Sequence, residues 1–258
     1  MPSFSIIIVN FNTKDLTADC LDSVFSKLSG DFEVIVADNN SSDGSVDYLN
    51  GRYGSRIKII SNRENLGFGR ANNTAAKIAA GEYLFFLNSD TIIPEDILPQ
   101  LKICFGLPRV AVAAPSLVLP GGGIQKNSFG KFPNLFNTLL GKLIGNIGEA
   151  KAEWVSGAAL AIRKSVFDKI GGFDEKYFMY FEDIDLCYQA AELGYEIKIA
   201  PDARVIHLGG KSIKDRSVRK NFYYQSQDYF FLKHYGSFSV FLLKLARTPY
   251  IFLKDKTN

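Results

Sequence analysis

The feature that most constrains the fold is a regular alternation, through the first hundred residues, of short apolar runs with segments of helical periodicity. The runs are rich in β-branched and aromatic residues and are too short for helices, as is typical of buried strands. They lie at 5–9, 32–37, 57–60 and 83–87, with helical segments at 14–28, after the loop 39–45, and at 70–80. Strands separated by helices form parallel pairs with right-handed crossovers. We therefore predict an α/β fold with a mostly parallel, doubly wound sheet.

Polar residues stand where three of the predicted strands end. Asn10 follows the first strand, Asp38 ends the second, and Asn88-Ser-Asp90 follows the fourth. In open α/β sheets, ligands bind in the crevice outside the carboxyl ends of the strands. We therefore expect these polar side chains to face a common crevice.

The second half of the chain is less regular. Strands are predicted at 110–118, 154–162 (broken at Gly157), 195–200 and 204–208, a flap at 132–147, a helix from Glu182, and two aromatic helices within 219–253. No linker composition separates two halves. We predict one domain over residues 1–210, followed by a helical extension over 211–258.

The charge distribution is uneven and excludes one class of partner. The net charge is +3, but ten basic and three acidic residues lie from His207 to the end, against 20 basic and 24 acidic residues before it. Nucleic-acid-binding domains usually carry a broad basic face, so nucleic acid is not expected as a partner. The basic extension predicts contact with something anionic.

Hydropathy and cysteine spacing predict the compartment. No run reaches the roughly 18–20 apolar residues that a transmembrane helix requires, and the start of the chain lacks a signal-peptide pattern. Three widely spaced cysteines indicate a reducing compartment. We expect a cytoplasmic protein. Its aromatic, basic extension allows either peripheral contact with the inner face of the cell membrane or packing against the sheet or a homodimer partner.

Several carboxylates could carry chemistry, but the residue pattern alone leaves two interpretations of each. Asp90 is either a turn cap or a ligand of Mg²⁺ or Mn²⁺. Asp38 is either an Asx-turn residue or an acceptor for the imide N–H of uracil or thymine. The acids Glu182, Asp183 and Asp185 either stabilise the first turn of a helix or supply a general base, and their spacing does not choose among them.

Two further features match no motif by themselves. The segment Asn65-Leu-Gly-Phe-Gly-Arg-Ala-Asn-Asn73 lacks the last glycine of a dinucleotide-binding fingerprint, so a Rossmann site is not predicted. It is either a flexible helix N-terminus or backbone that approaches a nucleotide. His207 and His234 belong to no metal-type cluster in the sequence.

Taken in order, these segments resemble the family 2 inverting glycosyltransferases, which have the GT-A (nucleotide-diphospho-sugar transferase) fold, and especially their bacterial rhamnosyltransferase-like branch. The resemblance covers roughly residues 3–240. Its first-half motifs are Ile8-Val-Asn10, Asp38-Asn-Asn-Ser-Ser-Asp-Gly-Ser45, Asn65-Leu-Gly-Phe-Gly69 and Asn88-Ser-Asp90. Its second-half motifs are Trp154-Val-Ser-Gly-Ala158, Gly171-Gly-Phe-Asp174, Phe181-Glu-Asp-Ile-Asp185 and His207.

The resemblance implies a nucleotide-sugar half at 1–100 and an acceptor half at 101–210. Asp38 would read the pyrimidine base of a nucleotide diphosphate sugar. Val9 and Asn10 would line the same pocket, and Asn65 and Gly67 would hold the nucleoside.

The resemblance also implies a metal site. Asp90 matches the last acid of the family's D-x-D motif and would hold Mg²⁺ or Mn²⁺ on the donor diphosphate, with His207 as a further contact. Asn88 and Ser89 lie beside it in the implied donor site. The fuller motif has an acid where this chain has Asn88, so we expect metal affinity to depend on bound nucleotide.

The remaining implied roles concern the acceptor. Asp183 matches the catalytic base, with Glu182 beside it, and Trp154, Gly157 and Ala158 would contact the acceptor. The implied function is metal-dependent inverting transfer of a sugar from dTDP-rhamnose or a UDP-hexose to a hydroxyl of a glycan or polyprenyl-linked acceptor in surface polysaccharide synthesis. The alternatives are a non-catalytic nucleotide-sugar-binding or scaffold subunit, which the incomplete metal motif suggests, and a sugar-phosphate nucleotidyltransferase. Residues 5–12 lack the basic, Gly-rich segment expected of the latter.

Overall fold

Strands and helices alternate in the computed structural model, which describes residues 2–140, 149, 152–209 and 215–254. The strands are β1 (Phe4–Asn10), β2 (Phe32–Asp38), β3 (Lys58–Ser61), β4 (Tyr83–Asn88), β5 (Thr91–Ile92), β6 (Val110–Val118), β7 (Phe129–Gly130), β8 (Trp154–Val155), β9 (Ala159–Arg163) and β10 (Glu196–His207). The helices are α1 (Lys14–Lys27), α2 (Ser45–Tyr53), α3 (Gly67–Ala76), α4 (Leu98–Phe105), α5 (Leu135–Leu140), α6 (Lys164–Ile170), α7 (Glu182–Glu192) and α8 (Arg216–Lys254).

The main sheet has eight strands in the order β3-β2-β1-β4-β9-β6-β10-β5. The first four pair in parallel, with Ile7 of β1 opposite Ile35 of β2 and Phe86 of β4. This confirms the predicted doubly wound half. Successive residues of Ile6–Ile8 are fully buried and alternate between apolar clusters on opposite faces of the sheet. Because helices cover both faces, the strand has no polar alternation.

The second half of the sheet is mixed. β9 runs antiparallel to both β4 and β6, and β5 runs antiparallel to β10. The break predicted at Gly157 is present: β8 pairs with β7 in a separate two-stranded sheet, whereas β9 joins the main sheet. The chain therefore changes sheets at the edge of the crevice.

Other predicted boundaries differ from the observed elements or fall outside them. The strands predicted at 195–200 and 204–208 form one strand, β10, because an irregularity in its middle lets pairing with β6 resume. The flap predicted at 132–147 contains α5, but residues 141–147 lie outside the described part of the chain. The predicted domain boundary at 210–211 also lies outside it.

Helix α8 packs much of its aromatic content against α7 and the loop before it. The apolar cluster between them consists of Tyr177, Phe181, Ile184, Phe230, Phe231 and Leu243. Gly236, with φ of 80°, leaves helical geometry, so α8 is two helical segments that meet at a kink, in agreement with the two predicted helices. Among the described residues, no helix combines the length and the apolar character needed to cross a membrane.

A buried carboxylate fastens α8 to α7. Asp185 is fully buried and accepts hydrogen bonds from Lys233 Nζ at 2.8 Å and His234 Nε2 at 2.7 Å, both on α8. Tyr177 Oη donates to the same carboxylate at 3.2 Å, and Lys233 also contacts Asp174 at 2.8 Å. Of the three acids at the start of α7, Asp185 thus serves the packing of α8.

We expect Asp185→Ala to lower the free energy of unfolding by about 3 kcal/mol, because the substitution removes the buried carboxylate to which Lys233 and His234 are hydrogen-bonded. For a chain of this size, the fall in Tm would be about 6–12 °C. Asp168→Ala is the control, since Asp168 pairs with Lys164 on the exposed surface of α6, and its cost should stay below about 1 kcal/mol. Calorimetry would measure both, and equal small changes would show that Asp185 does not fasten α8.

Candidate active site

A large cleft of about 1530 Å³ opens at the carboxyl ends of the parallel strands, where open α/β sheets bind ligands. The first half of the chain contributes Val9, Phe11, Asn39, Asn65, Gly67, Phe68, Asn88, Ser89 and Asp90 to its walls. The second half contributes, among others, Gln125, Trp154, Gly157, Ala158, Glu182, Asp183 and His207, and α8 contributes Arg219, Tyr223, Tyr224, Gln227 and Arg247. The cleft thus brings together the predicted site residues other than Asn10 and Asp38.

Asn10 and Asp38 lie beneath the cleft floor, where they are 0% and 2% exposed. Asn10 Nδ2 donates to Asp38 Oδ1 at 2.6 Å, and the Ser41 backbone N–H donates to Oδ2 at 2.9 Å. Asn10 Oδ1 accepts from the hydroxyls of Thr13 and Thr17. Asp38 therefore orders the loop that follows it, and its contact with a pyrimidine base remains a prediction.

The next residue, Asn39, lines the cleft and joins two of its loops. Its Nδ2 donates to Gly67 O at 3.0 Å and to Asn65 Oδ1 at 3.2 Å, and its Oδ1 accepts from Asn62 Nδ2 at 2.9 Å. Sequence reasoning missed Asn39. Its only signal was its place directly after a strand end, and that signal does not separate it from Asn40.

Gly67 lets the two halves of the cleft approach closely. Its φ is +78°, and a Cβ there would overlap the carbonyl oxygen of Phe178. The Phe68 N–H donates to that oxygen at 3.1 Å. On the facing wall, a Cβ on Gly157 would lie 3.0 Å from the Phe68 ring. Close approach and backbone conformation therefore both require glycine at position 67, whereas a side chain at position 157 would need a small shift of the Phe68 ring.

Asp90 and His207 form a pair at the end of the donor half. Asp90 Oδ1 and His207 Nε2 are 3.2 Å apart, and the residues are 3% and 7% exposed. Pairing of β5 with β10 places them side by side. His207 Nδ1 lies 2.8 Å from Gln125 Oε1, an acceptor, so Nδ1 carries the proton. Nε2 then faces the carboxylate with either a second proton or a free lone pair.

This pair fits a divalent cation with two protein ligands. The Asp90 carboxylate is a ligand type that Mg²⁺ and Mn²⁺ take readily, and the His207 nitrogen stands beside it in the cleft. In the described part of the chain, no group of three or more His, Cys, Asp or Glu side chains is arranged to hold a metal ion. Most of the coordination shell would therefore come from diphosphate and water, as is usual for Mg²⁺ at nucleotide sites.

Asp183 lies at the N-terminus of α7 and is held by backbone donors. The N–H groups of Gly157 and Ile184 donate to Oδ2 and Oδ1, each at 2.8 Å. Burial raises the pKa of Asp183 above its ordinary value, and these two hydrogen bonds oppose the rise. Tyr180 and Phe181, directly before the helix, have φ of 70° and 68°. Such strain in non-glycine residues is typical of functional sites.

Glu182 lines the same cleft, but its hydrogen bonding and its pKa differ from those of Asp183. It is 5% exposed, and its buried Oε2 has no hydrogen-bond partner among the described residues. Burial, and then the charge of Asp183, raise the pKa of Glu182 well above its ordinary value. The pKa of Glu182 rises further than that of Asp183, so Asp183 is the more readily ionised carboxyl of the pair.

The acceptor residues predicted from sequence lie on the wall opposite the donor loops. Trp154 Nε1 donates to Lys131 O at 2.9 Å, which fixes the indole at the rim. Ala158 O accepts from the Asn88 N–H at 2.9 Å, which joins this wall to the end of β4. These contacts show how the wall is built, and acceptor contact at Trp154, Gly157 and Ala158 remains a prediction.

Sequence reasoning missed the cleft wall formed by α8. Arg219, Tyr223, Tyr224 and Arg247 line the cleft, and Arg247 lies over the Tyr224 ring at 4.7 Å from its centroid. No motif marks these residues, because they reach the cleft only through the docking of α8 on α7.

Comparison with solved structures identifies the fold. A mannosyltransferase from Pyrobaculum calidifontis, in complex with GDP-Man and Mn²⁺, superposes with a TM-score of 0.67 at 20% identity, covering 90% of this chain and 64% of that one. S. aureus TarS 1–349 in complex with UDP-GlcNAc gives a TM-score of 0.63 at 19% identity, covering 88% and 65%. The chain thus has the GT-A fold.

Comparison of sequences gives the relatives. N-acetylglucosaminyl-diphospho-decaprenol L-rhamnosyltransferase of Mycobacterium tuberculosis (strain ATCC 25618 / H37Rv) is 29% identical over 203 residues, 67% of this chain and 66% of that protein. Rhamnosyltransferase WbbL of Escherichia coli (strain K12) is 27% identical over 231 residues, covering 78% and 82%. This chain therefore spans about two thirds of the length of the mycobacterial relative.

Family models agree with these relatives. The model described as Glycosyl transferase family 2 matches residues 5–171, more than half of the chain, and the model described as Glycosyltransferase like family 2 matches residues 147–223. The two matches include the Asp90 and Asp183 sides of the cleft. The chain belongs to glycosyl transferase family 2 and is a rhamnosyltransferase-like glycosyltransferase.

Proposed function

We propose that this glycosyltransferase is metal-dependent and inverting, and that it moves rhamnose or a related hexose from a pyrimidine nucleoside diphosphate to a hydroxyl of a lipid-linked glycan. One observation carries the proposal. A carboxylate held by backbone N–H groups, Asp183, lies in the same cleft as the Asp90–His207 pair. A base and a diphosphate-binding pair in one cleft are the parts that a single displacement needs.

Asp183 would accept the proton of the acceptor hydroxyl as its oxygen attacks the anomeric carbon. The bond from that carbon to the diphosphate oxygen breaks on the opposite side, so one displacement inverts the anomeric configuration. The reacting sugar passes through an oxocarbenium-like state. The protonated carboxyl of Glu182, with its unpartnered oxygen in the cleft wall, would donate a hydrogen bond to a sugar hydroxyl.

Asp90 and His207 would hold the divalent cation, with Asn88 and Ser89 beside them. When bound, such a cation neutralises charge that develops on the leaving nucleoside diphosphate. The Mn²⁺ in the solved complex of the archaeal mannosyltransferase supports this class of cofactor. Because protein ligands are few, we infer that metal and nucleotide bind together.

The donor is proposed from the relatives and from the first-half loops. The names of the bacterial relatives support a rhamnosyl donor such as dTDP-rhamnose, whereas the TarS complex supports a UDP-hexose. The pyrimidine base of the donor would lie between Val9 and Asn65, with Asp38 below it. The family match gives no support to a nucleotidyltransferase or to a non-catalytic subunit.

A lipid-linked acceptor fits the outer surface of α8. Phe238, Phe241 and Leu245 are 60–69% exposed on its second segment, and they lie three and four residues apart, on one face. Exposed apolar residues near lysines and arginines are typical of interfacial helices. We infer that the extension, residues 211–258, makes peripheral contact with the inner face of the membrane. The alternative is a homodimer that forms through the same apolar face.

We expect Asp183→Asn to lower turnover by about 10²–10⁴-fold while nucleotide binding changes little, because the amide cannot accept the hydroxyl proton. Transfer of radiolabelled sugar and calorimetric titration with UDP and dTDP would measure the two effects. Glu95→Gln, at an exposed position, is the control and should keep full activity. Full activity in Asp183→Asn would show that Asp183 is not the catalytic base.

The rate should fall at acid pH with a midpoint above that of an ordinary aspartate, about 3.9. Asp183 acts as a base only when ionised, and burial raises its pKa, so activity is present above that pKa and is lost as pH falls through it. A kcat–pH profile would measure the midpoint. Glu182→Gln should leave this acid limb in place, since Asp183 is the more readily ionised carboxyl of the pair; a limb that disappeared would identify Glu182 as the base.

UDP or dTDP at about 100 times its Kd should stabilise the protein by about 2.7 kcal/mol, a rise in Tm of about 5–10 °C, and only with Mn²⁺ or Mg²⁺. Asp90→Ala should abolish the metal-dependent part, whereas Glu95→Gln should keep it. Thermal-shift measurements with UDP, dTDP, GDP, CDP and ADP would also identify the nucleobase of the donor. Equal stabilisation with and without metal would contradict the roles of Asp90 and His207.

A further inference from the structure

The wall that α8 contributes to the cleft contains an arginine that forms no ion pair with a described carboxylate. Arg219 lies in the first turn of α8, lines the cleft and is half-buried. Its Nε is buried and has no hydrogen-bond partner among the described residues. The carboxylate of Asp215 is exposed and accepts from Ser217. These hydrogen bonds, and to a smaller extent the charge of Arg219, lower the pKa of Asp215.

The other cations of the cleft are paired or hydrated. Lys131 contacts Glu153 at 2.7 Å, and Arg247 contacts Asp228 at 2.7 Å. Lys126 is exposed, so water can solvate its ammonium group. A guanidinium donor that has lost water without gaining a partner is unfavourable. Arg219 is therefore a group whose partner arrives with a ligand, and that ligand is an anion.

Arg219 lies on the side of the cleft where the base is. Tyr180 stands three residues before Asp183, and its ring meets that of Tyr223, one turn after Arg219, with centroids 6.1 Å apart. Burial raises the pKa of Tyr180, and the charge of Arg219 opposes that rise, as expected of a cation on the same side of the cleft. A ligand whose hydroxyl reached Asp183 would pass Arg219 on its way to the exposed surface of α8.

We propose that Arg219 binds the diphosphate that joins sugar to lipid in the acceptor. A planar guanidinium matches two phosphate oxygens at once. The donor diphosphate is already assigned to Asp90 and His207, and the mycobacterial relative is named for an acceptor that contains a diphosphate. The inference rests on the proposed function: the sugar would lie at Asp183, the diphosphate at Arg219, and the lipid on the apolar face of Phe238 and Phe241.

Steady-state kinetics of Arg219→Gln test the proposal with three substrates: the sugar donor, N-acetylglucosamine on a diphosphate-linked polyprenyl chain, and the same sugar on a phosphate-free alkyl chain. We expect KM for the diphosphate acceptor to rise about 10- to 100-fold, the effect of losing charge-assisted hydrogen bonds. KM for the donor and for the alkyl glycoside should stay unchanged. Lys220→Gln removes the same charge from an exposed neighbouring residue and should alter none of them.

Each other pattern overturns the proposal. A rise in donor KM alone would assign Arg219 to the donor diphosphate, and equal losses on both acceptors would assign it a structural role. If the wild-type protein transfers no sugar, the anion site can still be tested by measuring the binding of pyrophosphate. Inorganic pyrophosphate with EDTA should raise the Tm of wild-type protein and of Lys220→Gln but not of Arg219→Gln, because metal-free Asp90 repels the anion. Equal shifts in all three would refute the anion site independently of transferase activity.

Discussion

The contact between the Gly67–Phe68 turn and the carbonyl of Phe178 sets the spacing of the two walls of the active site. The Phe68 N–H donates to that carbonyl at 3.1 Å, and a side chain at Gly67 would overlap it. The Phe178 ring stacks on Phe222 of α8 with centroids 4.8 Å apart. Three residues later Phe181 directly precedes α7, whose first turn carries Asp183. The Gly67–Phe68 turn, Asp183 and the α8 wall are therefore all positioned by the segment around Phe178.

The buried ionisable groups of the cleft are stabilised in different ways. Asp183 is stabilised by two backbone N–H groups at a helix N-terminus, where the macrodipole favours an anion. Asp90 lies against an imidazole that can carry a proton or yield its lone pair to a cation. Burial and the charge of Asp183 raise the pKa of Glu182 well above its ordinary value, which disfavours a second buried charge beside Asp183. Arg219 is the exception, since its buried Nε has no hydrogen-bond partner among the described residues, and for that reason we propose it as the site of an anionic ligand.

Much of the donor half could be predicted from sequence, because local pattern and global fold agree there. A run such as Ile6–Ile8 has a single stable environment, between two helical layers, and parallel strands must end at one edge of the sheet. The predictions that remain open concern side chains one residue apart. Asp38 ends β2 and Asn39 directly follows it, yet of the two only Asn39 lines the cleft. The pleat and the loop after it decide which one faces a ligand, and neither can be read from composition.

The sequence by itself determined the α/β class, the strand-end position of the site, the acids available for chemistry and the aromatic character of the C-terminal extension. Each depends on periodicity or on residue type, which are local properties. Only the tertiary structure decided how the acids at the start of α7 divide their roles: Asp183 and Glu182 face the cleft, whereas Asp185 binds Lys233 and His234. It also decided that α8 lines the site with Arg219. These outcomes depend on contacts between residues about 50 positions apart in the chain, and such contacts exist only after the helices have packed.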